Sequence, residues 1–438
     1  MKREEMSHKR THPRVRISFP AKLKLKNVAP TVPSTLWGKT TDLSEGGLAV
    51  ILENPVQVSS LLTLSIDHSL DPVEALAQVA WSKPVINNSK FRCGIRFLRL
   101  GQRDFCNLRK IIGEATSIIT ASYLPEKVIT NQDIIDSGLR TTPTAIERGL
   151  GVRERRAAAP DETAADMMVK VARKILEKAE CLPQELDCII CSVDVGDSVE
   201  PDTATAVQAK IGASCPAFGV AMSCTGWLAA VDIALCYLDA GKKRILVLAS
   251  SLVGSRVFYH NLMHRAIFGD GAGGILLESH HSHHRSRFLA TKLWTDGRHY
   301  SKIYIPHPWS IIPEDIPEEY KGSFYMSPDQ KKFFSIMDSY LVPNTRHLLN
   351  EAGVKLEDID LFFLHYPSKP LFEHSLKLLK VPREKTFSRF EWYGNLAAAE
   401  VPVFLDEAIN TGRLKRGNLL LIVTYGAGFT GGGLVFRY

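Results

Sequence analysis

The stretch AFGVAMSCTGWLAAVDIALCYLDAGKKRILVLAS, residues 217–250, decides the fold. It opens on a short apolar run, Ala217–Met222, and turns around Cys224. Residues Thr225–Ala240 then read as a helix that is apolar on nearly all sides and stops at Gly241. A second apolar run, Arg244–Ala249, follows. A helix with almost no wet face must be buried, and strands that are continuous apolar runs are covered on both faces. Strand, turn, buried helix and strand make a unit of a layered α/β fold. Cys224 lies where a thiol meets unpaired N–H groups and the positive end of the helix dipole, and both favour thiolate. Taken singly, each of the eight cysteines reads better as a core thiol; the turn and the Gly226 that follows set Cys224 apart.

Working outward, the unit recurs. Residues 182–193, LPQELDCIICSV, match residues 355–366, KLEDIDLFFLHY, in pattern. Residues 226–249, starting GWLAAVDIAL, run parallel to residues 394–423, starting GNLAAAEVPV. A repeat of this length is a duplicated domain, not a solenoid. The halves are expected at about 114–285 and 286–438, with Leu186–Val193 a strand and Asp161–Glu180 a helix with an acidic first turn. The duplication puts Cys224 and Asn395 at equivalent helix starts facing one site. His365, at the end of LFFLH, would join them there. Alone, His365 reads as a core histidine and Asn395 as a helix cap. Together with a thiolate they can stabilise an oxyanion or enolate.

Residues 1–113 read differently. Lys22, Lys24 and Lys26 alternate with Leu23 and Leu25, the period of a strand with one wet face. Further strands fit Gly47–Leu52, Leu61–Ile66, Ala75–Trp81 and Phe91–Phe97, which suggests a small β-barrel closed by a helix near Arg103–Ile112. The net charge of +7 is local. Residues 1–30 hold nine Lys/Arg and two Glu, and the other 408 hold 45 of each sign. That speaks against a nucleic-acid surface on the large domain and for an anion site near the N-terminus. No apolar run approaches a membrane span, and MKREEMSHKR lacks the apolar core of a signal peptide, so the cytoplasm is expected.

Residues 115–438 resemble the ketoacyl-acyl-carrier-protein synthase III family. The resemblance rests on SYLPEKVITNQDI, GVRERRAAAPDET, CPAFGVAMSCTGW, FGDGAGG, the strand ending at His365, YGNLAAAEVPVFLDEA and YGAGFTGGGLVFRY. It implies an acyltransferase of thiolase-like α-β-α-β-α architecture that forms carbon–carbon bonds on acyl thioesters. Cys224 would be the nucleophile, and His365 and Asn395, 30 residues apart, the pair that handles a malonyl-type extender. Tyr425, Gly426 and Gly428 would border the oxyanion site, with Arg148 and Lys369 toward the phosphopantetheine arm. That arm arrives on coenzyme A or an acyl carrier protein, so no metal or redox cofactor is implied. The family's pattern implies a homodimer in which the loop near Val199–Asp202 reaches the partner's acyl pocket. Val199 stands where an aromatic residue is common, leaving room for a longer or branched chain; beside it, Glu200 reads as a solvated loop carboxylate or a polar group reaching that pocket. The chain departs from the family at His365-Tyr366-Pro367-Ser368-Lys369 and at Thr144, which leaves the donor open.

Residues of about 8–100 resemble a PilZ domain, on Arg10 and Arg14 in KRTHPR and Asp42, Ser44 and Gly47 in TDLSEGG. The resemblance implies binding of cyclic di-GMP. Arginine forks suit its phosphates and guanine edges, and Asp42 and Ser44 can accept guanine N–H groups. The expected function is decarboxylative condensation modulated by cyclic di-GMP. Acyl transfer or head-to-head condensation on the same fold, and a nucleotide-responsive scaffold without activity, are the alternatives. Cys188 and Cys191 spell C-x-x-C but point to opposite faces of a strand, so they share no metal. His280, His281, His283 and His284 read as a solvated loop, and Asp270 as a turn residue.

Overall fold

The computed structural model describes residues 20–26, 34–44, 47–66, 73–85, 90–101, 104, 116–257, 262–279, 287–306, 312–314, 316, 325–326 and 330–438. The chain divides into two compact units, Met1–Glu114 and Ala115–Tyr438.

The first unit follows from period-2 patterning. In β1, Pro20–Leu25, exposed and buried residues alternate strictly, so Leu23 and Leu25 turn inward and the lysines outward. With β2 (Thr35–Ser44), β3 (Gly47–Leu52), β4 (Leu61–Ile66), β5 (Val73–Pro84) and β6 (Phe91–Leu100) it forms a closed barrel in the order β1-β2-β3-β6-β5-β4. Leu23, Leu48, Val50, Leu62, Leu64, Val79 and Ile95 fill it. Strands β5 and β6 run further than their sequence pattern indicated, because pairing continues through bulged, partly exposed ends.

The second unit holds two sheets of like topology. In one, β7 (Thr116–Tyr123), β8 (Cys188–Val193), β9 (Ala217–Gly219), β10 (Arg244–Ser251) and β11 (Gly271–Ser279) lie in the order β9-β8-β10-β11-β7. In the other, β12 (Arg287–Thr295), β13 (Leu361–Leu364), β14 (Leu419–Gly426) and β15 (Thr430–Arg437) lie in the order β12-β15-β14-β13. Directions correspond: β8 is parallel to β10 and to the edge strand β9, β13 and β14 are parallel, and the remaining neighbours are antiparallel. The internal match extends to single hydrogen bonds. Asp187 accepts the Lys243 and Arg244 N–H groups (2.7 and 3.0 Å) ahead of β10, and its counterpart Asp360 accepts Leu419 N–H (2.8 Å) at the start of β14.

Helix α1, Ala164–Ala179, covers one face of the first sheet, and α2, Thr203–Ile211, packs beside it. Helix α3, Gly226–Asp239, touches both sheets, and α6, Glu400–Asn410, packs on β7 and β11. Helix α4, Gln330–Ala352, lies on β12 and β15, with α5, Lys369–Leu379, against it. This is the thiolase-like α-β-α-β-α layering. Helix α1 starts at Ala164 rather than Asp161, because Thr163 takes the N-cap and forms a capping box with Asp166. Helix α3 is buried on all sides only over Gly226–Val231. Cys236 and Tyr237 emerge at its end, since the sheets no longer cover the last turn. Cys188 faces the core between the sheets and Cys191 the core beneath α1, on opposite sides of β8. Among the described residues no helix is long and apolar enough to cross a membrane.

Candidate active site

Two tight turns meet between the sheets. Ser223–Thr225 leads into α3, and Ala397–Ala399 leads into α6. Each begins on a residue with left-handed backbone, Ser223 at φ 47° and Ala397 at φ 46°. This matched strain is the true internal equivalence. Cys224 therefore corresponds to Ala398, and Asn395 lies just ahead of its turn. The pairing of Cys224 with Asn395 as helix starts is corrected by this offset.

Burial pushes the Cys224 thiol up, and the neighbouring His365 imidazole draws it back down. Cys224 packs against the buried cluster of Val253, Phe268 and Ala397. Asn395, 1% exposed, is locked by its backbone to the adjoining segment: its N–H donates to Ile267 O (2.9 Å) and its carbonyl accepts Gly269 N–H (3.0 Å). Its Oδ1 accepts Ala397 N–H at 2.7 Å, so the amide NH₂ is its working end. Arg155, buried without a carboxylate partner, holds that neighbouring segment by donating to Ala266 O, Ile129 O and Asn131 Oδ1.

Gly426 ends β14 so close to the nucleophile that an added Cβ would lie 3.0 Å from Cys224 N. A side chain at Gly426 would crowd that N–H, so glycine keeps the Gly426–Gly428 loop close beside it. The loop is pinned by paired backbone bonds between Phe429 and Asp296. Tyr425 is not an open pocket wall: it is buried behind His365, with ring centroids 6.1 Å apart. Arg148 and Lys369 are exposed on two packed helices, and the Gly151 backbone lies against Lys369 Cβ. Val199 is 60% exposed on the loop after β8, apart from the residues that enclose Cys224, and Glu200 is exposed beside it. Asp270 is buried and accepts Ala158 and Ser255 N–H groups (2.9 and 3.2 Å), as a structural residue does.

Two carboxyls were missed. Glu400, the first residue of α6, lies 2.9 Å from His365 Nδ1. Asp194 follows β8, and its Oδ2 accepts Ala398 N–H at 3.0 Å, so neighbouring amides of one turn are held by Asn395 and Asp194. Burial pushes Asp194 up to about 6 against the pull of the Ala398 N–H and the His365 charge. The folded chain then keeps a proton that the unfolded chain releases near pH ~4. This contribution to stability is complete below that pH and is lost as pH rises through about 6. Asp194→Asn, which keeps an acceptor for Ala398, should therefore gain roughly 1–2 kcal/mol on the wild type between acid and pH ~8. Thermal melts across that range check it; parallel curves for the two proteins would rule it out.

In the first unit, β2 and β3 pair Asp42 with Ala49 and Ser44 with Gly47. Gly47 has φ +152°, and a Cβ there would lie 2.0 Å from the Ile95 carbonyl, so the turn accepts glycine only. Arg10 and Arg14, the side chains of Asp42 and Ser44, the stretch near Arg103–Ile112 apart from Asp104, and the histidines at 280–284 lie outside the described residues.

Comparison with known proteins agrees with both units. The model of the PilZ domain matches residues 8–114. Those of 3-oxoacyl-[acyl-carrier-protein] synthase III and of its C-terminal part match residues 218–297 and 349–438. The beta-ketoacyl-[acyl-carrier-protein] synthase III of Methylococcus capsulatus is 32% identical over 73% of this chain and 97% of its own length. That of Aquifex aeolicus is 31% identical over 75% and 99%. The crystal structure of the Aquifex aeolicus VF5 enzyme superposes with TM-score 0.66 at 31% identity, covering 74% of this chain and 100% of that one. An N-terminal PilZ domain thus precedes a condensing domain, and the chain belongs to the 3-oxoacyl-[acyl-carrier-protein] synthase III family.

Proposed function

We propose that this enzyme condenses an acyl group carried on Cys224 with a malonyl-type thioester, with loss of carbon dioxide, and that cyclic di-GMP bound to the PilZ domain modulates it. The observation that carries the reading is the meeting of the Cys224 turn with the turn held by Asn395, beside a His365 imidazole that draws the buried thiol down. The Cys224 sulfur attacks the acyl carbonyl, the donor C–S bond breaks, and the donor thiol leaves with the thiol's proton. The Cys224 N–H and the Gly426–Gly428 loop hold the oxyanion. In the second half, the bond from the malonyl α-carbon to its carboxylate breaks. Its electron pair passes to the thioester oxygen, held by His365 Nε2–H and the Asn395 amide. The resulting enolate carbon attacks the acyl carbonyl and releases the Cys224 thiolate. The phosphopantetheine arm, on coenzyme A or an acyl carrier protein, approaches past Arg148 and Lys369. Exposed Val199 suits a loop that completes the pocket of a second copy in a homodimer.

A second reading keeps the acyl-enzyme but gives it an uncharged acceptor, in acyl transfer or head-to-head condensation. Asp194 favours it, because a carboxylate ionised above about 6 opposes a malonyl carboxylate.

One experiment separates the readings. Acyl and malonyl thioesters on coenzyme A and carrier protein are incubated with the enzyme, with and without cyclic di-GMP, and products are identified by mass. A 3-oxoacyl product that needs malonyl supports the first reading, and product without malonyl supports the second. A rate indifferent to saturating cyclic di-GMP removes the regulatory part. Sedimentation of the same sample as a monomer removes the shared pocket.

A further inference from the structure

Behind His365 lies a charge that the condensation as written does not use. Glu400 Oε1 is 2.9 Å from His365 Nδ1, and the two side chains are 1% and 2% exposed. The other oxygen, Oε2, is buried with no hydrogen-bond partner, so the imidazole is what Glu400 serves. Its neighbours in LAAAEVPV are apolar. A buried carboxylate with one partner is costly and persists where it does something.

We propose that Glu400 is a positioning residue of the Cys224 site: it takes the Nδ1–H of His365 and turns Nε2 to the sulfur and the substrate oxygen as the ring's working atom. The inference rests on the condensing reading above for its consequence in catalysis, though not for the pair itself.

The chemistry follows from the two ring nitrogens. A neutral imidazole whose proton is bound at Nδ1 has only a lone pair at Nε2. It can take the Cys224 proton during acylation, but it cannot donate to a thioester oxygen. Donation at Nε2 needs the second proton, and Glu400 is the group that keeps it there. The ionisable groups facing the ring are Cys224 from its turn, Asp194 after β8, Glu400 from α6, Tyr425 from β14, and adjacent Tyr366. Burial works to discharge the imidazolium, but the charges of Glu400 and Cys224 outweigh it and hold His365 well above the ordinary histidine range. With the ring charged, Cys224 enters acylation as the thiolate of the pair, the departing donor thiolate takes the Nε2 proton, and solvent water returns a proton to Nε2 before the enolate forms. The donor role is present at neutral pH and is lost as pH rises through the raised value.

Glu400→Gln tests this, because it keeps an oxygen for Nδ1–H and removes the charge. Two readouts are taken: the pH dependence of Cys224 alkylation by iodoacetamide without substrate, and the alkaline limb of malonyl-thioester decarboxylation. Both should move to lower pH by about one unit, the effect of removing an adjacent charge. A merely structural role moves neither midpoint. Thermal melts accompany both readouts, and Glu400→Ser replaces the glutamine variant if that one does not fold. An alkylation midpoint unchanged in a folded variant overturns the proposal. A shifted midpoint in an enzyme that never decarboxylates malonyl thioester upholds the pair and removes the condensing reading instead.

Discussion

Cys224→Ala should gain no acyl mass from any thioester that acylates the wild type, and turnover should fall by more than about a thousandfold. The reason is competition among thiols. Cys181, Cys188, Cys191 and Cys215 are buried, and burial pushes all four away from thiolate, Cys188 to about 11. Cys236 is exposed on the last turn of α3, raised by burial and by Asp232 and Asp239, with no cation beside it. Burial raises Cys224 too, but it alone of these is pulled back by a neighbouring imidazole. Thiolate is the reacting species, so that imidazole separates a nucleophile from core thiols. Intact-mass analysis with a panel of acyl thioesters, followed by peptide mapping, reads the result. Acyl mass on Cys188 or Cys236, or acylation persisting in Cys224→Ala, would sink the assignment.

What the sequence disclosed, it disclosed through periodicity and through turns. The alternation at Lys22–Lys26 and the apolar runs at Leu361–Leu364 and Arg244–Ala249 depend only on which face is wet, so they survive folding nearly unchanged. Asn395 was legible because a polar residue ahead of a buried helix must have a task; its Oδ1 takes the Ala397 N–H of the turn ahead of α6, whose N-cap is Ala399, and its catalytic role belongs to the proposal above. Asp194 was not legible. It is one of four acids in SVDVGDSVEPD, and only the return of the second half brings Ala398 to it. Glu400 left a signal that went unread: a charge inside AAAEVPVFL, on a helix that must be buried, requires a partner. Asp406, one turn and a half on, meets the same need by accepting the Thr120 and Ser122 hydroxyls (2.8 and 2.7 Å). The offset between Cys224 and Asn395 was hidden because residue matching aligned the glycines, whereas the backbone aligns Ser223 with Ala397.

His365→Ala should divide the two half-reactions. Acyl mass still appears on Cys224, more slowly, because the oxyanion donors are backbone groups that the substitution leaves in place. Malonyl decarboxylation loses its charged donor and should fall about 10²–10³-fold, the usual cost of one such donor. The acyl-enzyme then accumulates where the wild type turns over. Stability must be separated from chemistry, since removing the imidazole strands Glu400 in the core, a change that costs about 3–5 kcal/mol for a buried pair. The double variant His365→Ala/Glu400→Gln has no stranded charge and should melt above the single variant while remaining as slow in decarboxylation. Equal melting of the two would mean that Glu400 is not charged against the ring. Recovery of decarboxylation in the double variant would mean that the loss came from distortion, and that His365 is not the donor. Failure of both variants to acquire any acyl mass would make His365 the indispensable base of the first half-reaction instead of the donor of the second.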